Sequence, residues 1–363
     1  MNNDHQMIQD SAARLFADAA GAALNTQVEA GGFPQALWLQ VEEAGFAAAL
    51  AAGEQGFGLT PDQALPIFEE LGRHRVPLPL AETAAGLALL ACAGHAPLAG
   101  PGTLIDAGPG QTLALTADGR HLSGEAPAVP WGRHAAWALV QLPQGDIAVV
   151  DLKDAADLTC EPDLDLAGLP ADRLRLAGVA VRTVLPAEAF GIALPLRSTA
   201  ALLHAAMMVG AMEWALAEAI QYANDRVQFG RPIGKNQALQ QMLAQAAGDV
   251  ASARMAVRAA GLDFRLGDAE RAARVDFGVA AAKVRCGEAA TRVAATAHQV
   301  LGAIGFTHEH ALHFATRRLW AWRAAYGADA WWAQRLGAAA IRARAAGFWP
   351  AMTQRQFSAT AAG

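Results

Sequence analysis

The sequence predicts a mainly α protein with a β insert: a helical domain at residues 1–102, an antiparallel β-domain at 103–192 and a helical bundle at 193–363. Alanine-rich stretches with helical periodicity fill both ends, and alanine has the highest intrinsic helix propensity. Short alternating runs are confined to the middle. With 363 residues and 53% hydrophobic content, the chain can bury a large core in more than one folding unit.

In the first zone, Gly31–Pro34 precedes QALWLQVEEAGF, where Leu37, Val41 and Ala44 share one helical face. Thr60-Pro61-Asp62 reads as an N-cap followed by proline at the first helical position, with Pro66 distorting the early turns. The middle runs are TLALTA, AWALVQL, IAVVDL, RLRLAG and VAVRTVL, with turns expected at Asp118-Gly119, Ser123-Gly124 and Gln144-Gly145. The last zone offers long helices at 198–226, 236–265, 268–303 with Asp268 as N-cap, 308–322 and 328–348. Long helices with short connections predict an antiparallel bundle.

A formal net charge of −6 leaves no basic patch for nucleic acid. Cys92, Cys160 and Cys286 are odd in number and far apart, so neither disulfides nor a metal site are expected. The N-terminus lacks a signal-peptide pattern. The apolar run at 84–93 is shorter than the roughly 20 residues that span a bilayer. A cytoplasmic protein without membrane contact is expected.

Residues Tyr222–Gln237, YANDRVQFGRPIGKNQ, resemble the bundle motif of the acyl-CoA dehydrogenase family, in which R-x-x-F-G and a downstream glutamine follow an aromatic residue. Residues His298–His310, HQVLGAIGFTHEH, resemble its second motif, and Phe68–Pro77 is similar to the end of its N-terminal helix. The resemblance implies the acyl-CoA dehydrogenase fold, an FAD cofactor and an acyl-CoA substrate. It also implies an electron-transfer flavoprotein or similar acceptor, and a homo- or hetero-oligomer, expected to be a tetramer.

The chemistry of these residues agrees. A guanidinium is shaped to hold a pyrophosphate through paired hydrogen bonds, which nominates Arg226. Gln228 offers amide donors, and Phe229 an apolar plane beside a ring system. Gly302, Ala303 and Gly305 allow close backbone approach, and Gln299 can donate to a phosphate or ribose. By resemblance these residues, with Gln237, serve the ADP half of FAD, which in this family reaches across a subunit interface. Each has a plainer reading as well: Arg226 as a solvated helix-terminal cation, and the glycines as a helix C-cap.

The chain departs from the family at the chemistry itself. Family members take the α-proton with a glutamate, in most cases downstream of the second motif. Here Tyr326 stands in that place, and a phenol with a pKa near ~10 is a poor base. The alternative position on the first bundle helix falls at Ala200, or near Met207 in related short sequences, and neither is acidic. Asp329, about one helical turn after Tyr326, is the substitute candidate, while Glu213, Glu218 and Glu309 read as structural or surface carboxylates. The flavin-ring loop, T-E-P-like in the family, is missing before a hairpin that starts at once, and Pro130 replaces a hydroxyl residue without an N–H to donate. Trp320, Trp322, Trp331 and Trp332 cluster near the expected acyl site, or pack the core.

Three readings follow. The chain is the non-catalytic subunit of a heteromer, with FAD shared with or held mainly by a partner. Otherwise it is an active homotetramer with an unusual base, or an acyl-CoA-binding scaffold without redox chemistry.

Overall fold

The computed structural model describes residues 3–52, 56–106, 108 and 110–356. The chain opens with α1 (Asn3–Ala19), α2 (Ala22–Glu29), α3 (Gln35–Glu43), α4 (Pro61–Arg73) and α5 (Leu80–Cys92). Leu37, Trp38 and Val41 form the buried stripe of α3. Thr60 and Gln63 cap α4 reciprocally and Pro61 takes its first position, as the sequence dictates. The helix continues through Pro66, whose missing N–H deprives only the Asp62 carbonyl. Apart from Glu82 and Thr83, α5 is apolar, and it is buried from Leu80 to Leu90.

Seven strands follow: β1 (Gly102–Ile105), β2 (Ala114–Leu115), β3 (His121–Pro130), β4 (Trp137–Gln141), β5 (Ile147–Asp151), β6 (Leu158–Glu161) and β7 (Ala171–Leu185). They form one sheet in the order β1-β4-β5-β7-β3-β2, with β6 also pairing β7. The sheet is mixed and not purely antiparallel, because β1 pairs with β4 in parallel. The runs RLRLAG and VAVRTVL are two stretches of one strand, β7, which reaches β3, β5 and β6. Ser123-Gly124 lies inside β3, next to a register shift, and is not a turn.

Alternation along β4 divides the core. Trp137 and Leu139 join the large helical cluster, whereas Ala138 and Val140 join the interior of the sheet.

The C-terminal part comprises α6 (Pro195–Asp225), a small hairpin of β8 (Val227–Gln228) and β9 (Arg231–Pro232), then α7 (Gln237–Asp263), α8 (Ala272–Leu301), α9 (Leu312–Ala324) and α10 (Asp329–Gln354). Asp268 accepts from the Glu270 and Arg271 N–H groups, but it caps a 3-10 turn that precedes α8. The fourth bundle helix starts at Leu312, not 308, and the fifth runs past Phe348 with a break at Arg344.

α4 and α6 meet backbone to backbone. A Cβ on Gly72 would lie 2.0 Å from the Met207 carbonyl oxygen, and one on Gly210 1.8 Å from that of Glu69. Only glycine permits this crossing, which brings the first half of α6 against the N-terminal helices. Ion pairs of Glu213 with Arg73 and Arg254 flank it. The stretch Ala187–Asp225 is long and apolar enough to cross a membrane, and 83% of its apolar window is buried inside the fold. It exceeds the 84–93 run because scattered polar residues such as His204 and Glu213 conceal its length.

Candidate functional site

A cavity of about 570 Å³ opens where the three parts of the chain meet. Val76, Leu78 and Glu82 line it from the N-terminal helices, Ile105, Asp106, Pro130 and Trp131 from the sheet, and His204, Met207, Trp322 and Tyr326 from the bundle. Its volume lies within the range of small-molecule sites.

Tyr326 occupies the turn between α9 and α10, with a positive φ of 51° followed by Gly327 at 96°. Two buried groups hold this turn. Trp332 Nε1 donates to the Tyr326 carbonyl at 3.2 Å. Lys283 Nζ donates to the carbonyls of Trp322 at 2.9 Å, Ala325 at 2.8 Å and Arg323 at 3.3 Å. The phenol itself lies in the cavity wall, and its Oη has no hydrogen-bond partner. Burial, with Glu82 and Asp106 adding negative charge, pushes its pKa well above the ordinary value. It therefore stays protonated and can donate, but it cannot take a proton.

Sequence reasoning passed over Glu82 and His204. Glu82 comes from α5 and His204 from α6, one turn after Ala200. Their Oε1 and Nε2 atoms lie 3.3 Å apart, and His204 Nδ1 sits 2.9 Å from the Ala200 carbonyl. The His204 ring centroid is 5.0 Å from that of Tyr326. The signal was present in the sequence: a lone carboxylate inside the apolar run PLAETAAGLALL must be buried, and buried carboxylates are rare without a partner.

The other expected positions separate. Met207 lines the cavity, whereas Ala200 is buried outside its lining. Asp329 is not in the lining, and its carboxylate is bound by Arg323 at 2.7 and 3.0 Å. Glu213 belongs to the α4–α6 ion pairs, Glu218 lies 3.6 Å from His310, and Glu309 is exposed. Of the four tryptophans only Trp322 lines the cavity; Trp332 is core, Trp331 stacks under Arg197, and Trp320 is 42% exposed beside Arg323.

Pro130 lines the cavity from a strained segment: Ala128 and Trp131 both have positive φ, and β3 changes register between Ala126 and Val129. The hairpin of β2 and β3 does not begin at once; β1 precedes it, and Asp106, Gly108 and Gln111 of the connection reach the cavity. Asp106 pairs with Arg197 at 2.6 Å.

Arg226, Gln228 and Phe229 lie at the far end of α6. Arg226 follows the last residue of the helix, and Phe229 and Gly230, with φ of 52° and 79°, form the tip of the β8–β9 hairpin. Phe229 is fully exposed, and among the described residues the Arg226 side chain has no ion pair. The second motif approaches the same end. His310 lies beside Glu218 and packs against Trp214, which places the loop roughly 12 Å from Arg226 along the α6 axis. Gly302 (φ 62°) has open space where a Cβ would stand, and Gln299, Ala303 and Gln237 are exposed. Gly305 differs: it is buried, and a Cβ there would fall 3.2 Å from Leu301 and Leu312, so its smallness serves packing.

These positions suit one half of a flavin dinucleotide and not the other. An unpaired guanidinium, an amide, an exposed ring and an open glycine suit a phosphate-bearing ADP moiety. The cavity wall does not suit an isoalloxazine ring: Pro130 cannot donate, and Asp106 and Glu82 bring carboxylates to the same space. Among the described residues no cluster suited to a metal ion occurs, and all three cysteines are free.

Comparison with known proteins bears on the family and the fold. Residues 198–341 match the family model for the acyl-CoA dehydrogenase C-terminal domain. The acyl-CoA dehydrogenase IpdE2 of Mycobacterium tuberculosis is 33% identical over 332 residues, covering 87% of this chain and 90% of that protein. Among solved structures, a Tcur3481–Tcur3483 steroid ACAD superposes with a TM-score of 0.81 at 27% identity, over 94% of this chain and 99% of that one. The ChsE4–ChsE5 complex from Mycobacterium tuberculosis shares the fold, with a TM-score of 0.79 at 22% identity over 94% of this chain and 98% of that one. Related in sequence along most of its length and alike in fold from the first helices to the bundle, this chain belongs to the acyl-CoA dehydrogenase family.

Proposed function

We propose that this chain is one subunit of a heteromeric, FAD-dependent acyl-CoA dehydrogenase, completing a partner's cofactor site and owning no complete site itself. The carrying observation is the split between the two ends of α6. At one end Arg226, Gln228 and Phe229 are exposed and unengaged within the chain; at the other, a protonated phenol stands where the base belongs. In this reading Arg226 binds the pyrophosphate of an FAD whose flavin ring lies in the partner. Gln228, Phe229, Gln237, Gln299, Gly302 and Ala303 surround its ADP half. The FAD supplies the hydride acceptor, and the partner supplies the carboxylate that takes the α-proton. The assembly is a cytoplasmic heterotetramer of two unlike subunits, passing electrons to an electron-transfer flavoprotein. The steroid ACAD relative makes a polycyclic acyl-CoA the first substrate to try.

Expression of the chain alone and with a second acyl-CoA dehydrogenase-type chain that carries a glutamate base tests this. The lone chain is expected colourless and inactive, and the co-purified complex yellow and active. Full FAD occupancy with turnover by the lone chain would overturn the reading.

One observation favours the second reading, an active homotetramer: Glu82 places a carboxylate in the cavity beside Tyr326. Acyl-CoA-dependent dye reduction by the lone chain, abolished in Glu82→Gln, would establish it.

A further inference from the structure

Glu82, His204 and Tyr326 come from α5, α6 and the α9–α10 turn, and they meet on one wall of the junction cavity. Each is more than nine-tenths buried, with relative exposures of 5%, 3% and 7%. Packing alone does not explain them. A carboxylate, an imidazole and a phenol taken out of water cost more than apolar side chains of like size, and their neighbours Val76, Leu78 and Met207 are apolar. Two of the three lie against each other: His204 Nδ1 sits 2.9 Å from the Ala200 carbonyl and its Nε2 3.3 Å from Glu82 Oε1. Tyr326 Oη is buried with no protein partner, and its residue lines the cavity.

We propose that this wall is a recognition site for a neutral oxygen, a hydroxyl or a ketone, on an otherwise apolar ligand lodged in the cavity. Tyr326 Oη donates to that oxygen. When the oxygen is a hydroxyl, Glu82 accepts its proton in a hydrogen bond, and His204 holds the carboxylate in place. A carboxylate ligand is opposed by Glu82 and Asp106, and a pure hydrocarbon leaves the phenol unsatisfied. The site needs neither flavin nor a second subunit, so it stands or falls separately from the heteromer reading.

The test uses the full chain alone, titrated with 4-cyclohexylcyclohexanol, 4-cyclohexylcyclohexanone and the oxygen-free cyclohexylbenzene. Tryptophan fluorescence follows binding, since Trp131 and Trp322 line the cavity. The alcohol and the ketone are expected to bind more tightly than the hydrocarbon. Tyr326→Phe should weaken both oxygenated ligands about 5- to 10-fold, the value of one hydrogen bond, and leave cyclohexylbenzene unchanged. Unchanged hydrocarbon binding also shows that the cavity survives the substitution. Glu82→Gln should weaken the alcohol more than the ketone. Equal affinity of wild type for all three ligands, a Tyr326→Phe loss shared by the hydrocarbon, or no binding of any ligand would overturn the proposal.

Discussion

The two ends of α6 present opposite kinds of site. At its C-terminal end the chemistry faces outward: Phe229 is fully exposed, Arg226 has no ion pair among the described residues, and Gly302 leaves open space. In its first half the chemistry faces inward, with Glu82 against His204 and Tyr326 held in a turn pinned by Lys283. Exposed side chains at the outer end are not coupled to the folding of this chain. An inward site must be satisfied by its own neighbours, so its residues are coupled to folding. Substitutions at the outer end should therefore change binding without changing stability, and those at the inner end should change both.

The largest expected effect lies at the α4–α6 crossing. Gly210→Leu would drive a side chain into the Glu69 backbone, so a loss of about 3 kcal/mol or more is expected in chemical denaturation. A Gly210→Leu chain as stable as wild type would show that α4 and α6 do not cross this closely.

Arg226→Ala should leave the melting temperature of the lone chain unchanged, since the side chain is exposed. In the co-purified complex it should weaken FAD retention about 30-fold, the loss of roughly 2 kcal/mol of charge-assisted hydrogen bonding. Flavin absorbance per mole of complex after gel filtration reads this directly. Retention equal to wild type would remove Arg226 from the cofactor surface.

The smallest effect is one of pH. Burial lowers Lys283 from its ordinary 10.5 to about 7. Between those values the unfolded chain binds the proton that the folded chain releases, so stability rises with pH. The penalty is complete below about 7 and gone above 10.5. The three carbonyls that Lys283 contacts favour its charged form and oppose the shift, so the slope is at most about 1.4 kcal/mol per pH unit. Urea midpoints measured from pH 7 to 9 should climb in wild type and climb less in Lys283→Met. Identical slopes would show that Lys283 titrates outside this window.

Much of the fold was legible because its signals are local. Thr60-Pro61 and Gln63 start α4, the alanine-rich periodicity marks the long helices, and alternation marks β4 and β5. The closeness of Arg226, Gln228 and Phe229 was legible for the same reason: they lie within four consecutive positions, at the end of α6 and in the hairpin that follows. Sheet direction was not, since the parallel pairing of β1 with β4 depends on how distant strands dock. Asp329 looked available by spacing, yet Arg323, six residues earlier at the end of α9, binds its carboxylate.

By itself the sequence determined the helix–sheet–helix order and the family, because each is written in neighbouring residues. Only the tertiary structure decided which polar groups share the junction cavity. Glu82 of α5 meets His204 of α6, and Tyr326 joins them from a turn whose carbonyls a buried lysine binds. A buried polar group must find its partners wherever packing brings them, and no periodicity along the chain records that distance.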